Sequence, residues 1–496
     1  MEMIILGLKS VCTIHGLLFI FIGTAIGIIF GAIPGLTATM AVALCLPMTY
    51  SMTVNNSMTF LLGLYIGGIS GGLISAILLR IPGTPSSLAT TFDGHPMAAK
   101  GQAGKALDTG VWASFFGGLL SFFVLFFIAP VLANIAIRFT PYDYFAVILF
   151  SLTMISALSG KDVKKGLIAG LVGIMLSFFG SDPVDGALRF TFGNHNLDGG
   201  FATLPVVIGL FAVAEVFEFA HIAFESKHME EIHYDAMDSH LKLSELKGQG
   251  ANFIRSWLIG LGIGILPGIG GGVSNLLSYT YSKKFSKHPE LYGTGCVDGI
   301  IASETANNST IGGALVPLLA LGIPGDAITA VLIAAFMIHG INPGPTLFRM
   351  QKDLVYSIFA AIIFANFAML ILMLCGRRLF TKILKINKAI LLPLVMGVCI
   401  IGAYANNNRI FDVYVVLIFG IIGILMKKFR YPVAPLIMGM LLGQNLEIYF
   451  RRSLMFSNGS FVPFFTKPVS LVFLILSAVS VTFAIRSNLI QRKKGE

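Results

Sequence analysis

The chain has 496 residues, of which 55% are hydrophobic and only 12% charged, and its mean hydropathy is +0.84. A single soluble core cannot hide that much apolar surface, so a soluble enzyme or binding domain is excluded and an all-α polytopic membrane protein is expected. The formal net charge of +10 comes from 34 Lys and Arg against 24 Asp and Glu. These basic residues fall in short clusters between apolar stretches, a distribution that argues against a nucleic-acid-binding face and for contact with a lipid bilayer.

In chain order, Lys9 precedes an apolar run that has no small-residue cleavage site, so the first span is expected to be retained. No Asp, Glu, Lys or Arg occurs from Ser10 to Leu79, and further uncharged stretches run Thr109–Ile137, Tyr144–Gly160, Thr305–Gly325, Ala327–Phe348 and Leu354–Gly376. At about 20 residues per crossing these and the C-terminal stretches predict about 12 transmembrane helices. They are too long and Gly-rich for an outer-membrane barrel. The clusters Lys161, Lys164 and Lys165, then Arg377, Arg378, Lys382, Lys385 and Lys388, then Lys427, Lys428 and Arg430, and the tail Arg486, Arg492, Lys493 and Lys494 place their loops and the C-terminus in the cytoplasm. Segments 389–405 and 411–426 form an out-and-back pair between two of these clusters. Lys283, Lys284 and Lys287 do not fit the same count of crossings, so the orientation of the second half stays open.

The long hydrophilic segment around 222–250 holds His228, His233 and His240 among acids. HMEEIH is not H-E-x-x-H: histidines five apart lie about 140° round a helix axis. The segment reads as a solvated connector, with no metal site. The five cysteines are isolated and form no Cys-x-x-Cys, so neither a disulfide framework nor a zinc site is expected. Gly68-Ile69-Ser70-Gly71-Gly72 satisfies G-x-S-x-G, but an esterase elbow needs a strand-turn-helix setting that an uncharged membrane segment lacks. Small residues at this density serve close helix packing.

The most telling pattern occurs twice. GAIPG at Gly31–Gly35 is followed by RIPGTPSS at Arg80–Ser87; GILPG at Gly264–Gly268 is followed by GIPGD at Gly322–Asp326. Gly71–Gly83 laid on Gly313–Gly325 without a gap gives six identities in thirteen positions. Paired interruptions at matching places mark a transporter built on internal repeats, with substrate held where the helices break. The predicted organisation is a first repeat over 10–222, a connector over 223–250, a second repeat over 251–440, and a C-terminal membrane segment with a basic tail over 441–496. Inverted topology is the preferred relation of the repeats.

A helix interrupted inside a bilayer exposes unpaired N–H and C=O groups, tolerable only where they line a polar cavity or bind something. N–H groups at a helix start favour an anion. The candidate substrate-binding residues are therefore Pro34, Gly35, Thr37 and Thr39 at the first break; Pro82, Gly83, Thr84, Ser86 and Ser87 at the second; Pro267, Gly268, Gly270, Ser274 and Asn275 at the third; and Pro324 and Gly325 at the fourth. Arg80 joins them because a guanidinium fits a carboxylate with paired donors. Glu304, Asn307, Asn308, Asp326 and Asp93 are candidates for holding Na⁺ or carrying a proton as the coupling ion. No other cofactor is expected. No G-x-x-x-x-G-K-[ST] occurs, so no ATPase is recognisable. A passive anion channel is the second reading and an intramembrane serine protease a distant third.

The blocks GAIPGLTATMAVALCLPMTY, LYIGGISGGLISAILLRIPGTPSSLATTFDGHPMAAKGQAGKAL, GLFAVAE and KHPELYGTGCVDGIIASETANNSTIGGALVPLLALGIPGDAITAVLIAAFMIHGINPGPTLF resemble the large membrane subunit (TctA type) of the tripartite tricarboxylate transporters. The similarity covers nearly the whole chain in order; the last 120 or so residues resemble it mainly in hydropathy. The resemblance implies import of small di- or tricarboxylates across the bacterial inner membrane. It also implies two partners, a small four-helix membrane subunit and a periplasmic or extracellular solute-binding protein. Arg80, Thr305 and Asp326 depart from the family's usual pattern, which leaves substrate and coupling ion open.

Overall fold

In lipid, backbone N–H and C=O groups find partners only within helices or closed barrels, and a computed structural model of the chain resolves the apolar stretches into helices. It describes residues 2–158, 163–214, 216–217, 239–268, 270–377, 379–380 and 388–495. Residues 223–238 of the connector, with His228 and His233, and Lys161, Arg378, Lys382 and Lys385 of the basic clusters lie outside the described residues. Among the described residues six helices are long and apolar enough to cross a bilayer, accompanied by five shorter apolar segments. The breaks explain the mixture, because several helices stop part-way through the bundle.

The first half contains α1 (Glu2–Val11), α2 (Ile14–Ala32), α3 (Ala38–Cys45), α4 (Val54–Leu79), α5 (Thr90–Met97) and α6 (Ala103–Ala136). After α7 (Pro141–Leu158) and α8 (Val163–Ser177) comes a two-residue antiparallel pair, β1 (Gly180–Ser181) with β2 (Leu188–Arg189), then α9 (Thr203–Val207). The second half contains α10 (Gly250–Ile265), α11 (Gly270–Phe285), α12 (Val297–Leu321), α13 (Ala327–Ile338), α14 (Leu347–Met350) and α15 (Lys352–Cys375). The chain ends with α16 (Lys388–Asn407), α17 (Ile410–Lys428), α18 (Val433–Phe456), α19 (Val462–Thr466) and α20 (Pro468–Gly495).

Each half repeats one device: a helix, a Pro-Gly turn, a short returning helix, then a long helix running parallel to the first. Glycine permits the close approach. Gly27 of α2 faces the Leu64 carbonyl of α4, and Gly260 of α10 faces the Ala306 carbonyl of α12; an added Cβ would lie 2.4 and 2.2 Å from those oxygens. The long helices α4 and α12 run antiparallel to each other. Met58 and Leu62 pack beside Leu315, Leu318 and Leu319, whereas Ser70, three turns on, meets Asn308. The two halves are therefore disposed in opposite senses.

The misfit of Lys283, Lys284 and Lys287 resolves here. Arg255, near the start of α10, donates to Ser282, near the end of α11, at 3.1 Å. The pair is thus a hairpin that enters and leaves on the same side, and a simple count of crossings misplaces the lysines.

Candidate substrate cavity

All four breaks contribute to one cavity. Thr37 caps α3, its hydroxyl accepting from the Met40 N–H at 3.1 Å. Asp326 caps α13 reciprocally: Oδ1 accepts from the Thr329 N–H at 2.7 Å, and the Asp326 N–H donates to the Thr329 hydroxyl at 2.8 Å. In the same register of the first half, the Thr84 N–H donates to the Ser87 hydroxyl at 3.3 Å. α11 instead begins with Gly270, Gly271 and Gly272, which have no side chains to cap it. Its first N–H groups are the kind that a helix start leaves without an intrahelical partner.

The turns are locked by backbone contact. An added Cβ on Gly83 would lie 2.1 Å from the Gly31 carbonyl oxygen, and one on Gly325 would lie 2.5 Å from Ala314 Cα and 2.9 Å from the Gly264 carbonyl oxygen. The Gly268 N–H donates to the Gly325 carbonyl at 2.7 Å, joining the third and fourth breaks directly.

The cavity measures about 490 Å³, within the range that holds a small-molecule ligand. Among the candidates, Thr37, Thr39, Thr84, Ser86, Gly268, Gly270, Pro324 and Asp326 line it. Pro34, Gly35, Pro82, Gly83, Pro267 and Gly325 stand off the wall and shape the turns that present it. Ser87, Ser274 and Asn275 are buried behind it. Ser274 pairs with the Thr310 hydroxyl at 2.8 Å, and Asn275 accepts from the Ala89 N–H at 2.7 Å, tying α11 to the segment after the second break.

Arg80 is exposed and off the cavity wall, contrary to the direct carboxylate contact expected of it. It is the left-handed C-cap of α4, with φ 58°, the place Gly322 fills at the end of α12 with φ 73°. A residue there turns the chain out of the helix, and this one is exposed and not among the residues that line the cavity.

Behind the wall lies a polar layer. Glu304 is fully buried; it accepts from the Thr90 hydroxyl of α5, from Ser114 of α6 at 3.2 Å and from the Asn307 amide at 3.5 Å. Asn308 accepts from Ser70 at 2.7 Å and donates to the Glu304 carbonyl at 3.2 Å. Ser70, the serine of G-x-S-x-G, is thus buried and committed to an amide. Asn307 Oδ1 has no partner among the described residues, and it stands against the cavity wall: a Cβ on Gly271 would lie 2.7 Å from it and 2.9 Å from the Ser86 hydroxyl. Glu304, Asn307 and Asn308 therefore come together, while Asp93 stands apart. Its Oδ1 accepts three N–H groups, of Gly293, Gly295 and Cys296, each at 2.9 Å, and Oδ2 accepts from the Tyr279 hydroxyl at 2.8 Å. Asp93 braces α5 of the first half against the loop before α12.

Residues that sequence reasoning did not single out complete the site: Ile69 of α4, Phe211, and Ile437 and Met438 of α18 on the wall, and Ser114 beside Glu304. Apolar wall residues carry no local mark. Thr90, one of the hydroxyls that follow the second break in the sequence, meets Glu304 rather than the cavity wall.

A polytopic helical bundle whose interrupted helices line one shared cavity has the architecture of a membrane carrier. The chain belongs to the tripartite tricarboxylate transporter TctA family, whose model matches residues 17–438 and so spans all four breaks. It is 34% identical over 480 residues to an uncharacterized 52.8 kDa protein in the TAR-I ttuC' 3' region of Agrobacterium vitis, covering 97% of this chain and 95% of that one. It is 35% identical over 223 residues to an uncharacterized protein in the TAR-II ttuC' 3' region of the same organism, covering 45% of this chain and 92% of that one. No solved structure matches.

Proposed function

We propose that the chain is the large permease subunit of a binding-protein-dependent secondary transporter that imports small organic carboxylates. The observation that carries this reading is the convergence of four helix breaks on one cavity with hydroxyls and glycine backbone on its wall. The glycine start of α11 and the hydroxyl of Ser86 are donors suited to a carboxylate. A cation must enter with the substrate. Bringing a di- or trianion into a cell negative inside by about 100 mV costs roughly 5 to 7 kcal/mol, at about 2.3 kcal/mol per charge. Glu304, Asn307 and Asn308, next to the cavity but screened from it, are the candidate site for Na⁺ or H⁺.

Family membership supports partner subunits. We assign them as a small four-helix membrane protein and a periplasmic solute-binding protein, with the large subunit in the bacterial inner membrane and its basic C-terminus in the cytoplasm. The test is uptake of labelled carboxylate by cells expressing the chain with both partners. Accumulation above the external concentration that collapses with the Na⁺ or proton gradient is expected; uptake that stops at equal concentrations would mean a passive channel.

A further inference from the structure

The gap-free register that pairs Gly71–Gly83 with Gly313–Gly325 also pairs Thr84 with Asp326 and Ser87 with Thr329. Both pairs open the chain after an Ile-Pro-Gly break, and both link the N–H of the first residue to the hydroxyl of the residue three later. The backbone task is thus the same, and a neutral threonine performs it in the first half. In the second half a carboxylate stands there, and it is the sole charged side chain among the described residues lining the cavity. An acid on the wall of an anion site repels its ligand unless it meets a donor.

The geometry shows what that donor faces. An ionised carboxylate offers about four acceptor positions. Oδ1 takes the Thr329 N–H at 2.7 Å and Oδ2 takes the Tyr65 hydroxyl at 2.5 Å, while the single Thr329 hydroxyl proton is within reach of both Oδ1 at 2.7 Å and the Asp326 carbonyl at 2.9 Å. Tyr65 is fully buried in the middle of α4, so the carboxylate is fixed from both halves of the molecule. One acceptor position on Oδ2 is left for the cavity that Asp326 lines. Its neighbour is the start of α11: a Cβ on Gly270 would lie 3.8 Å from Asp326 Cβ. Thr84 lines the same wall, but its hydroxyl is buried against α4, where a Cβ on Gly72 would lie 2.6 Å from it. At the start of α11, donors for a carboxylate and an acceptor for a hydroxyl are therefore presented side by side.

We propose that Asp326 determines specificity by accepting a hydrogen bond from a hydroxyl of the transported molecule, so that the cavity selects hydroxycarboxylates over the same acids without the hydroxyl. This inference rests on the carboxylate reading given above. It also specifies where the substrate's second functional group sits, next to the carboxylate held at α11.

Binding to the purified full-length chain tests it, using two pairs of acids that differ by one hydroxyl: malate against succinate, and citrate against tricarballylate. The hydroxylated member of at least one pair should bind on the order of tenfold more tightly, the usual worth of a hydrogen bond to a charged group. In Asp326→Asn and Asp326→Thr, which retain a side-chain cap for α13, the ratio should fall to about two or below, with a melting temperature near that of the parent confirming the fold. Equal binding of both members by the parent overturns the inference and leaves the carboxylate reading intact. An unchanged ratio in both folded variants also overturns it and makes Asp326 a helix cap alone. Loss of Na⁺ dependence with the ratio preserved overturns it in favour of a cation role. Failure of the parent to bind any of the four acids sinks the carboxylate reading and the inference with it.

Discussion

The two Pro-Gly hairpins differ at their tips. The α2–α3 hairpin ends in a helix start capped by Thr37, whose hydroxyl already holds the Met40 N–H. The α10–α11 hairpin ends in three glycines, which have no side chains to cap α11. A cap satisfies backbone donors and takes them away from any ligand; its absence leaves them for one. The first half thus supplies a capped frame with wall hydroxyls and the second the backbone donors, although both use the same fold of chain. Both acids, Glu304 and Asp326, come from the second half, and Thr90, Ser114 and Tyr65 of the first half join Asn307 and Thr329 of the second in fixing them.

The largest effect should come from forcing the shared frame apart. Gly83→Ala and Gly325→Ala each place a methyl group within 2.1 and 2.5 Å of backbone atoms that cannot move singly. Overpacking of this kind costs about 1–3 kcal/mol or more, so both variants should melt several degrees lower and lose transport. If they transport normally, the breaks are not locked against the hairpins as described.

Glu304→Gln comes next. It keeps the volume but replaces charge-assisted bonds from Thr90, Ser114 and Asn307, each worth about 1.5–3 kcal/mol, and should lower gradient-driven uptake by at least about tenfold while sparing substrate binding. Uptake measured across a range of Na⁺ and pH checks this; an unaltered cation dependence would remove Glu304 from the coupling site.

Ser86→Ala sharpens the contrast between capping and non-capping hydroxyls. It removes a hydroxyl of the cavity wall that caps no helix among the described residues, so stability should hold, whereas KM for the carboxylate should rise about three- to tenfold through loss of a charge-assisted bond. Thr37→Val should behave oppositely, losing about 1 kcal/mol of cap energy with a smaller change in KM. Parallel melting curves and initial rates separate the two outcomes.

The smallest effect concerns the turn carrying β1 and β2. The Val184 N–H above all, then the Asp185 N–H and the guanidinium groups of Arg189 and Arg451, hold the Asp182 carboxyl below its ordinary range. A carboxyl lowered in the folded state adds stability that is present above its unfolded value near 3.9 and is lost as pH falls through the lower folded value. The turn should keep its proteolytic resistance from pH 7 to 5 and lose it only in stronger acid. Asp182→Asn should show a flatter acid limb.

The helical membrane fold was legible from hydropathy, and the breaks from four Pro-Gly pairs, because both signals are local. The eight candidates on the cavity wall follow the prolines within a few residues. Reading the direction of α11 needs a tertiary contact, Arg255 to Ser282, and without it Lys283, Lys284 and Lys287 look misplaced. Arg80 misled for a physical reason: a charge next to a break suggests binding, yet at the left-handed cap position it is exposed and off the cavity wall. Asp93 is a coupling-ion candidate by family resemblance, and its partners are three amides of a distant loop and the Tyr279 hydroxyl. Phe211 and Met438 reach the cavity from outside the repeated pattern, so no periodicity announces them.

The central claim is that four breaks build one substrate cavity and that Arg80 stands outside it. Single cysteines at Thr37, Thr84, Gly272, Ala327 and Arg80, in a background with the five native cysteines replaced, would be labelled with a small thiol reagent with and without saturating citrate or malate. Protection by substrate at the positions from all four breaks, with Arg80→Cys labelled equally in both conditions, is the predicted result. Protection at Arg80→Cys with none at Thr37→Cys and Gly272→Cys would contradict it.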